Sequence, residues 1–216
     1  MATASALRAE KSLLLLVDYQ PRMYYGVEGA DRTVIANNVL ALAKSASIQG
    51  IPTVLTSVGE AGNGPFTPEI VALFPDAPVI ERSTPGFDAL ADAEVLAAVK
   101  AAGRKQVVVS GLWTSMCFSF TALHALREGF EVFGVMDAAG SESAVAHELA
   151  VQRMVQAGVA PCTWLQTSCE WMDTWANPQA SALVERVYRL HNGYFAQTPS
   201  HAARPERGVA STRTAR

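Results

Sequence analysis

The feature that most constrains the fold is a regular alternation of short apolar runs with segments of helical periodicity. The run SLLLLVDYQ (12–20) is apolar over consecutive positions, as in a strand buried on both faces of a sheet. In the next segment (30–49), Ile35, Val39 and Leu42 share one helical face. Parallel strands joined by helical crossovers satisfy this alternation. The sequence therefore predicts an α/β fold, a three-layer α/β/α sandwich with a central parallel sheet of about six strands.

The same patterns assign elements along the chain. Strands are predicted at residues 12–20, 51–57, 77–82, 105–113, 130–140 and 159–167. Helices are predicted at residues 30–49, 67–75, 92–103, 114–129, 143–158, 168–175 and 178–190. We expect Thr114 to be the N-cap of its helix. One domain is expected over residues 1–198, followed by a disordered polar tail over residues 199–216.

Charge and cysteine content restrict the partners and the compartment. The formal net charge is −3 and the isoelectric point is near 5.8, which argues against nucleic acid and against an anionic membrane as partners. No apolar run approaches the ~20 residues that a transmembrane helix requires. Three cysteines form an odd and sparse set that predicts no disulfide framework. We therefore expect a cytoplasmic protein.

Three chemically active side chains are predicted at one edge of the sheet. Asp18 ends the first strand, Arg82 ends the third, and Cys117 follows the fourth in the stretch GLWTSMC (111–117). Ligands of parallel α/β sheets bind beyond the carboxyl ends of the strands. A helix N-terminus favours a thiolate, a carboxylate can accept the thiol proton, and a cation steadies both negative groups. The set predicts acyl transfer with Cys117 as nucleophile, Asp18 as base and Arg82 as the cation.

Each of these residues also has a structural explanation. Cys117 alone is compatible with a small buried hydrophobe, Asp18 with the cap of a turn, and Arg82 with a surface ion pair. Cys162 and Cys169 are expected to be structural. The sequence lacks the spacing of a zinc site, a P-loop, a G-x-S-x-G elbow and a G-x-G-x-x-G turn, so we predict no metal and no cofactor.

The motifs around these residues resemble the isochorismatase-like cysteine hydrolases. The resemblance covers roughly residues 8–190 and is carried by VDYQPRM, GLWTSMCFSFTALHALREGFEV and MDAAGS. Its most specific part is G-x-x-T-x-x-C-x-x-x-T-A, which begins at Gly111 and ends at Ala122. Within this superfamily the sequence is most similar to the YcaC-like hydrolases, through GEAGNGP (59–65), LFPDAPVIER (73–82) and TWLQTSCEWMDTW (163–175).

The resemblance implies a catalytic Asp–Lys–Cys triad. Asp18 and Cys117 match it, whereas Arg82 stands in the place of the lysine; an arginine keeps its charge and does not shuttle a proton. A non-proline cis peptide between Leu112 and Trp113 is also implied, with the N–H groups of residues 113 and 117 directed at an oxyanion. The implied activity is hydrolysis of small C–N (amide or carbamoyl) or related acyl bonds through a thioester.

Two alternatives to catalysis stay open at this point. The first is a non-catalytic oligomeric binding protein of the same fold, and the second is a redox-sensing thiol. Five aromatic residues near the site in sequence either line a pocket for a small-molecule substrate or pack in the core: Tyr19, Phe66, Phe87, Trp113 and Phe118. The YcaC-like hydrolases resemble one another in forming rings, commonly octamers, which implies a homo-oligomer here. A late tryptophan-rich segment is the predicted interface: Trp164, Trp171 and Trp175.

Overall fold

Six parallel strands form one sheet in a computed structural model that describes residues 6–83 and 86–197. The strands are β1 (Ser12–Val17), β2 (Thr53–Ser57), β3 (Val79–Glu81), β4 (Gln106–Gly111), β5 (Glu131–Val135) and β6 (Ala160–Cys162). Their order across the sheet is β3-β2-β1-β4-β5-β6. The predicted α/β class and the parallel six-stranded sheet are therefore confirmed. The predicted tail over residues 199–216 lies outside the described residues, and the boundary of the domain stays a prediction.

Helices connect the strands and cover both faces of the sheet. They are α1 (Pro21–Tyr25), α2 (Arg32–Ile48), α3 (Glu60–Asn63), α4 (Pro68–Val71), α5 (Ala93–Ala101), α6 (Ser119–Arg127), α7 (Ala144–Ala157), α8 (Trp164–Met172), α9 (Ala180–Leu183), α10 (Arg189–His191) and α11 (Gly193–Gln197). Single 3₁₀ turns occur at Ala9–Lys11, Ala89–Ala91 and Met136–Ala138, and wider π-type turns at Thr114–Phe118 and Val184–Tyr188. Within the described ranges, no helix has the length and apolar character needed to cross a membrane.

The strand β1 shows why an unbroken apolar run suits the centre of this sheet. Successive side chains of a strand point to opposite faces. Leu14 and Leu16 pack in a core cluster with residues of α2 and α8, whereas Leu13, Leu15 and Val17 pack in a second cluster with residues of α5, α6 and α7. Both faces of β1 are thus fully buried, and the sheet is the middle of three layers.

The end of the sheet differs from the prediction. The sequence predicts a strand over residues 159–167, but β6 ends at Cys162 and α8 begins at Trp164. The hydroxyl of Thr163 accepts a hydrogen bond from the N–H of Gln166 at 3.2 Å, which caps the helix. This local polar contact outweighs the β-propensity of the preceding residues.

The tryptophans of the late segment have two different environments. Trp164 and Trp171 are buried in the core of the chain itself, and the indole N–H of Trp171 donates to the Ser12 hydroxyl at 3.0 Å. Trp175 is 56% exposed. The prediction that all three serve an interface between subunits is therefore wrong for Trp164 and Trp171, because core packing already covers them.

The contact between β1 and β4 leaves no space for a side chain at Gly111. Gly111 is opposite Val17 in the register of these strands, and an added Cβ would lie 2.8 Å from the carbonyl oxygen of Val17. We expect Gly111→Ala to lower the free energy of unfolding by about 1–3 kcal/mol, measured by urea denaturation. Gly193→Ala is the control, because its added Cβ meets nothing within 4 Å. Unchanged stability of Gly111→Ala would contradict this packing.

Candidate active site

The structure brings Asp18, Arg82 and Cys117 together beyond the carboxyl ends of the strands. Asp18 directly follows β1, and Arg82 directly follows β3, with β2 between them. The Arg82 guanidinium donates to both carboxylate oxygens of Asp18, with Nη1–Oδ1 at 2.7 Å and Nη2–Oδ2 at 2.9 Å. Both side chains are shielded from solvent. This is a bidentate, fully buried ion pair, the geometry in which arginine and carboxylate interact most strongly.

The backbone at Asp18 turns the chain out of the sheet. Asp18 has φ 59°, in the left-handed region that aspartate tolerates better than most residues. Its N–H still donates to the Thr56 carbonyl at 2.9 Å, so the residue remains attached to β2. The N–H of Gln20 donates to the Asp18 carbonyl at 2.8 Å and closes the turn. The carboxylate is therefore held by backbone and side-chain contacts at once.

The ion pair stabilises the charged form of Arg82. Burial opposes the charge of Arg82, but the hydrogen bonds to Asp18 and the negative charge of that carboxylate outweigh it, so the pKa of Arg82 is raised. The hydroxyl of Thr56 lies 3.4 Å from Arg82 Nη1 and donates to the Ile80 carbonyl at 2.9 Å. The guanidinium is thus charged at every physiological pH and fixed in orientation.

Cys117 is only 6% exposed and lies beside the ion pair. Burial raises the pKa of the Cys117 thiol, and the negative charge of the neighbouring Asp18 carboxylate raises this pKa further. The opposing effect of Arg82 is smaller. Burial and Asp18 thus oppose the stabilisation of a thiolate that is expected from the helix start, and the role of Cys117 as nucleophile stays a prediction. In the resting site both effects favour the neutral thiol of Cys117.

The turn that carries Cys117 is anchored from the side of β5 and α7. The N–H of Thr114 donates to the Gly140 carbonyl at 2.8 Å, and the Thr114 hydroxyl lies 2.9 Å from Nδ1 of His147. The N–H of Phe118 donates to the Trp113 carbonyl five residues back, which widens the turn. The prediction that Thr114 caps the helix is wrong, since its hydroxyl bonds His147 instead of the helix backbone.

The peptide between Leu112 and Trp113 is cis, as the resemblance implies. The N–H of Leu112 donates to the Val17 carbonyl at 3.1 Å, and the indole N–H of Trp113 donates to the Met23 carbonyl at 2.7 Å. Gly26 is packed so closely against the Trp113 ring that an added Cβ would overlap the ring. The segment is therefore held from two sides. Its role in binding an oxyanion stays a prediction.

The five candidate pocket aromatics divide between core and surface. Tyr19 and Phe118 are fully buried, and Phe66 is nearly so. The Tyr19 hydroxyl lies 2.8 Å from Oγ of Ser110 inside the core. These three residues follow the core-packing alternative. Phe87 is 58% exposed and Trp113 is half-buried, so these two retain surface that a ligand can contact.

Gln20 is a buried polar residue of the site region that is not among the predicted site residues. Its Oε1 accepts from the N–H of Val58 at 3.0 Å, and its Nε2 donates to the Gly64 carbonyl at 2.7 Å. The side chain thus fastens the segment that contains α3 to the end of β1. The signal was a polar residue directly after a buried strand, in VDYQPRM. In the part of the chain that the structure describes, no cluster of His, Cys, Asp or Glu could hold a metal ion.

Comparison with known proteins assigns the family. A model of the isochorismatase domain matches residues 12–166. The chain belongs to the isochorismatase family. The probable hydrolase YcaC of Escherichia coli K12 is 41% identical over 166 residues, which cover 76% of this chain and 79% of that protein. The chain is accordingly a hydrolase of this family, and the resemblance to the YcaC-like hydrolases is confirmed.

Two solved structures extend this similarity to the fold. The E. coli YcaC structure, described as an octameric hydrolase of unknown specificity, has a TM-score of 0.85 and 36% identity, covering 91% of this chain and 95% of that one. YcaC from Pseudomonas aeruginosa, solved with hexane-2,5-diol and covalent acrylamide, has a TM-score of 0.85 and 35% identity, covering 91% and 96%. The isochorismatase-family fold thus extends over most of the chain.

The protonation state of Cys117 can be measured directly. Because burial and Asp18 raise the pKa of the thiol, we expect no Cys117-dependent rise in thiolate ultraviolet absorbance up to about pH 9, where an ordinary cysteine is largely ionised. The difference spectrum between the wild type and Cys117→Ala isolates this group. Asp18→Asn removes one of the causes and lowers the pKa. A Cys117-dependent thiolate signal near neutral pH in the wild type would contradict the assignment.

Proposed function

We propose that this protein is a cysteine hydrolase that cleaves small C–N bonds, of amides or carbamoyl compounds, or related acyl bonds through a thioester. The observation that carries the proposal is the buried Asp18–Arg82 ion pair beside the Cys117 thiol. A thiol next to an oriented carboxylate is a nucleophile with its general base. The location beyond the carboxyl ends of β1 and β4 is where α/β sheets bind ligands.

In the acylation half-reaction Asp18 first accepts a proton and then donates it. Sγ of Cys117 attacks the carbonyl carbon of the substrate while the thiol proton passes to the Asp18 carboxylate. The N–H groups of Trp113 and Cys117 are the proposed donors to the oxyanion. Collapse of the tetrahedral intermediate breaks the C–N bond, and Asp18 returns the proton to the leaving nitrogen. The amine departs and leaves an acyl thioester on Cys117.

Deacylation repeats this sequence with water. Asp18 accepts a proton from the water molecule that attacks the thioester carbonyl, and the C–S bond then breaks. The proton returns to Sγ of Cys117 and the carboxylic acid departs. Arg82 takes no proton in either half-reaction, because a guanidinium stays charged. Its proposed role is to orient the Asp18 carboxylate and to balance its charge whenever that group is ionised.

The substrate is proposed to be small and to carry an amide or similar acyl group. The P. aeruginosa relative is described with covalent acrylamide, which reacts with nucleophiles such as thiols at its double bond and so supports a reactive nucleophile, although not the amide class itself. Trp113 and Phe87 are the candidate apolar contacts for the substrate body. The non-catalytic binding protein is the alternative, and the two differ in turnover and in the chemistry of Cys117.

A panel of small amides tests the proposed reaction. We expect the wild type to release amine from at least one amide, and Cys117→Ala to release none. Asp18→Asn should lower kcat/KM by on the order of 10³-fold, because the base is lost. Cys169→Ala is the matched control and should retain full activity, because Cys169 lies in α8 with its Sγ 3.9 Å from the Tyr188 hydroxyl. Full activity in Cys117→Ala would refute the mechanism.

Covalent labelling gives a second test that does not need the natural substrate. We expect acrylamide to add one adduct to the wild type, located on Cys117 by peptide mass spectrometry. Cys117→Ala should form no adduct at the corresponding peptide, because the proposed nucleophile is absent. A protein that binds amides without turnover and without an adduct on Cys117 would favour the non-catalytic alternative.

We also propose that the chain forms a homo-octamer in the cytoplasm. The octameric E. coli YcaC, whose chain is 95% covered by the match, supports the assembly. Exposed apolar residues of α7, Val145 and Leu149, are candidate contacts. Light scattering should give the mass of eight chains of 23.0 kDa each. A single species of one chain would contradict the proposal.

A further inference from the structure

A cavity of about 300 Å³ lies between α2, the turn after α4 and the C-terminal helices. Two cationic side chains face it, Lys44 from α2 and Arg186 from the turn before α10. Its walls include three apolar side chains, Ile48, Leu73 and Leu190. The cavity therefore combines two cationic side chains with an apolar surface.

The hydrogen bond of Lys44 leaves its charge uncompensated. Nζ of Lys44 lies 3.0 Å from Nε2 of His191, and Nδ1 of His191 lies 2.8 Å from Oδ1 of Asn37. Burial and the neighbouring Lys44 lower the pKa of His191 to about 4. The imidazole is therefore neutral at physiological pH, accepts from Lys44 through Nε2 and donates to Asn37 through Nδ1. A neutral acceptor positions the ammonium without cancelling its charge.

The positive charges of Lys44 and Arg186 repel each other. Burial lowers the pKa of Lys44, and repulsion from Arg186 lowers it further. Over residues 6–83 and 86–197, no ion pair within 4 Å involves Lys44 or Arg186. Glu185 also lines the cavity, but its carboxylate lies 3.6 Å from Nε of Arg189, which offsets its charge. An anion in the cavity would relieve this repulsion.

We propose that this cavity binds a small organic anion, a monocarboxylate on an apolar body. The carboxylate would accept hydrogen bonds from Nζ of Lys44 and from the Arg186 guanidinium, which are charge-assisted contacts. The apolar body would lie against Ile48, Leu73 and Leu190. The volume is at the lower end of the range for small-molecule pockets, which limits the ligand to a short chain or a single ring.

This cavity is separate from the candidate active site. The helix α2 begins after the carboxyl end of β1 and leads back to the amino end of β2. Lys44 is near the C-terminus of α2, so it lies toward the amino ends of the strands, whereas Asp18 lies at their carboxyl ends. Cys117 belongs to the layer of α6 on the other face. The proposal therefore does not depend on the proposed hydrolase mechanism.

Calorimetric titration of the full-length protein with hexanoate tests the proposal. We expect saturable binding at one site per chain, with equal affinity in Cys117→Ala, which rules out the active site as the location. Lys44→Met and Arg186→Gln should each weaken binding by about tenfold, the effect of one charge-assisted hydrogen bond. Lys100→Met is the matched control, because Lys100 lies on α5 and pairs with Glu128 at 2.7 Å. It should bind hexanoate as the wild type does.

Two further probes separate the charge from the apolar body. Hexan-1-ol has the chain without the charge, and inorganic phosphate has the charge without the chain, so both should bind more weakly than hexanoate. Phosphate binding as tightly as hexanoate would overturn the assigned ligand class. Absence of saturable hexanoate binding to the wild type, or binding unchanged in both variants, would overturn the site. Arg186 is exposed, so Arg186→Gln keeps the test valid if Lys44→Met fails to fold.

Discussion

The buried ion pair between Asp18 and Arg82 is the interaction on which the site depends. Two full charges without solvent exposure are stable only when each satisfies the other, and removing one partner of such a pair typically costs about 3–5 kcal/mol. The pair also passes over the end of β2 and joins the residues that follow β1 and β3. One contact therefore links the ends of two strands and orients the carboxylate beside Cys117.

The same contact favours a neutral thiol at Cys117 over a preformed thiolate. A negative carboxylate and a buried position both disfavour a second negative charge on Cys117, and Arg82 is already engaged by Asp18. In the proposed mechanism the thiol therefore loses its proton during attack on the substrate. An arginine suits this arrangement, since its planar fork fixes both carboxylate oxygens where a lysine would act as a single point charge.

Individual helices and strands show which structural features the sequence predicts and which it does not. The apolar run correctly predicts β1 as a strand, and the periodicity correctly predicts α2 as a helix. A strand buried on both faces is apolar throughout, whereas a helix buried on one face is apolar only at periodic positions. The prediction of a strand after β6 is wrong because the Thr163 cap, not the apolar content, decides where α8 begins. The prediction of Thr114 as a cap is wrong because its hydroxyl contacts His147, which is distant in sequence. The local sequence pattern does not reveal contacts between residues that are distant in the sequence.

The sequence by itself determined the class of fold, the sheet edge at which Asp18, Arg82 and Cys117 meet, and the family. Periodicity and the order of the elements encode these features, because each follows from local burial and from the handedness of crossovers. Only the tertiary structure decided that the Asp18–Arg82 ion pair is bidentate and shielded from solvent. It also decided that Tyr19, Phe66 and Phe118 belong to the core. It also decided that Lys44 and Arg186 face one cavity. Exposure, distance and pKa depend on residues brought together from far along the chain.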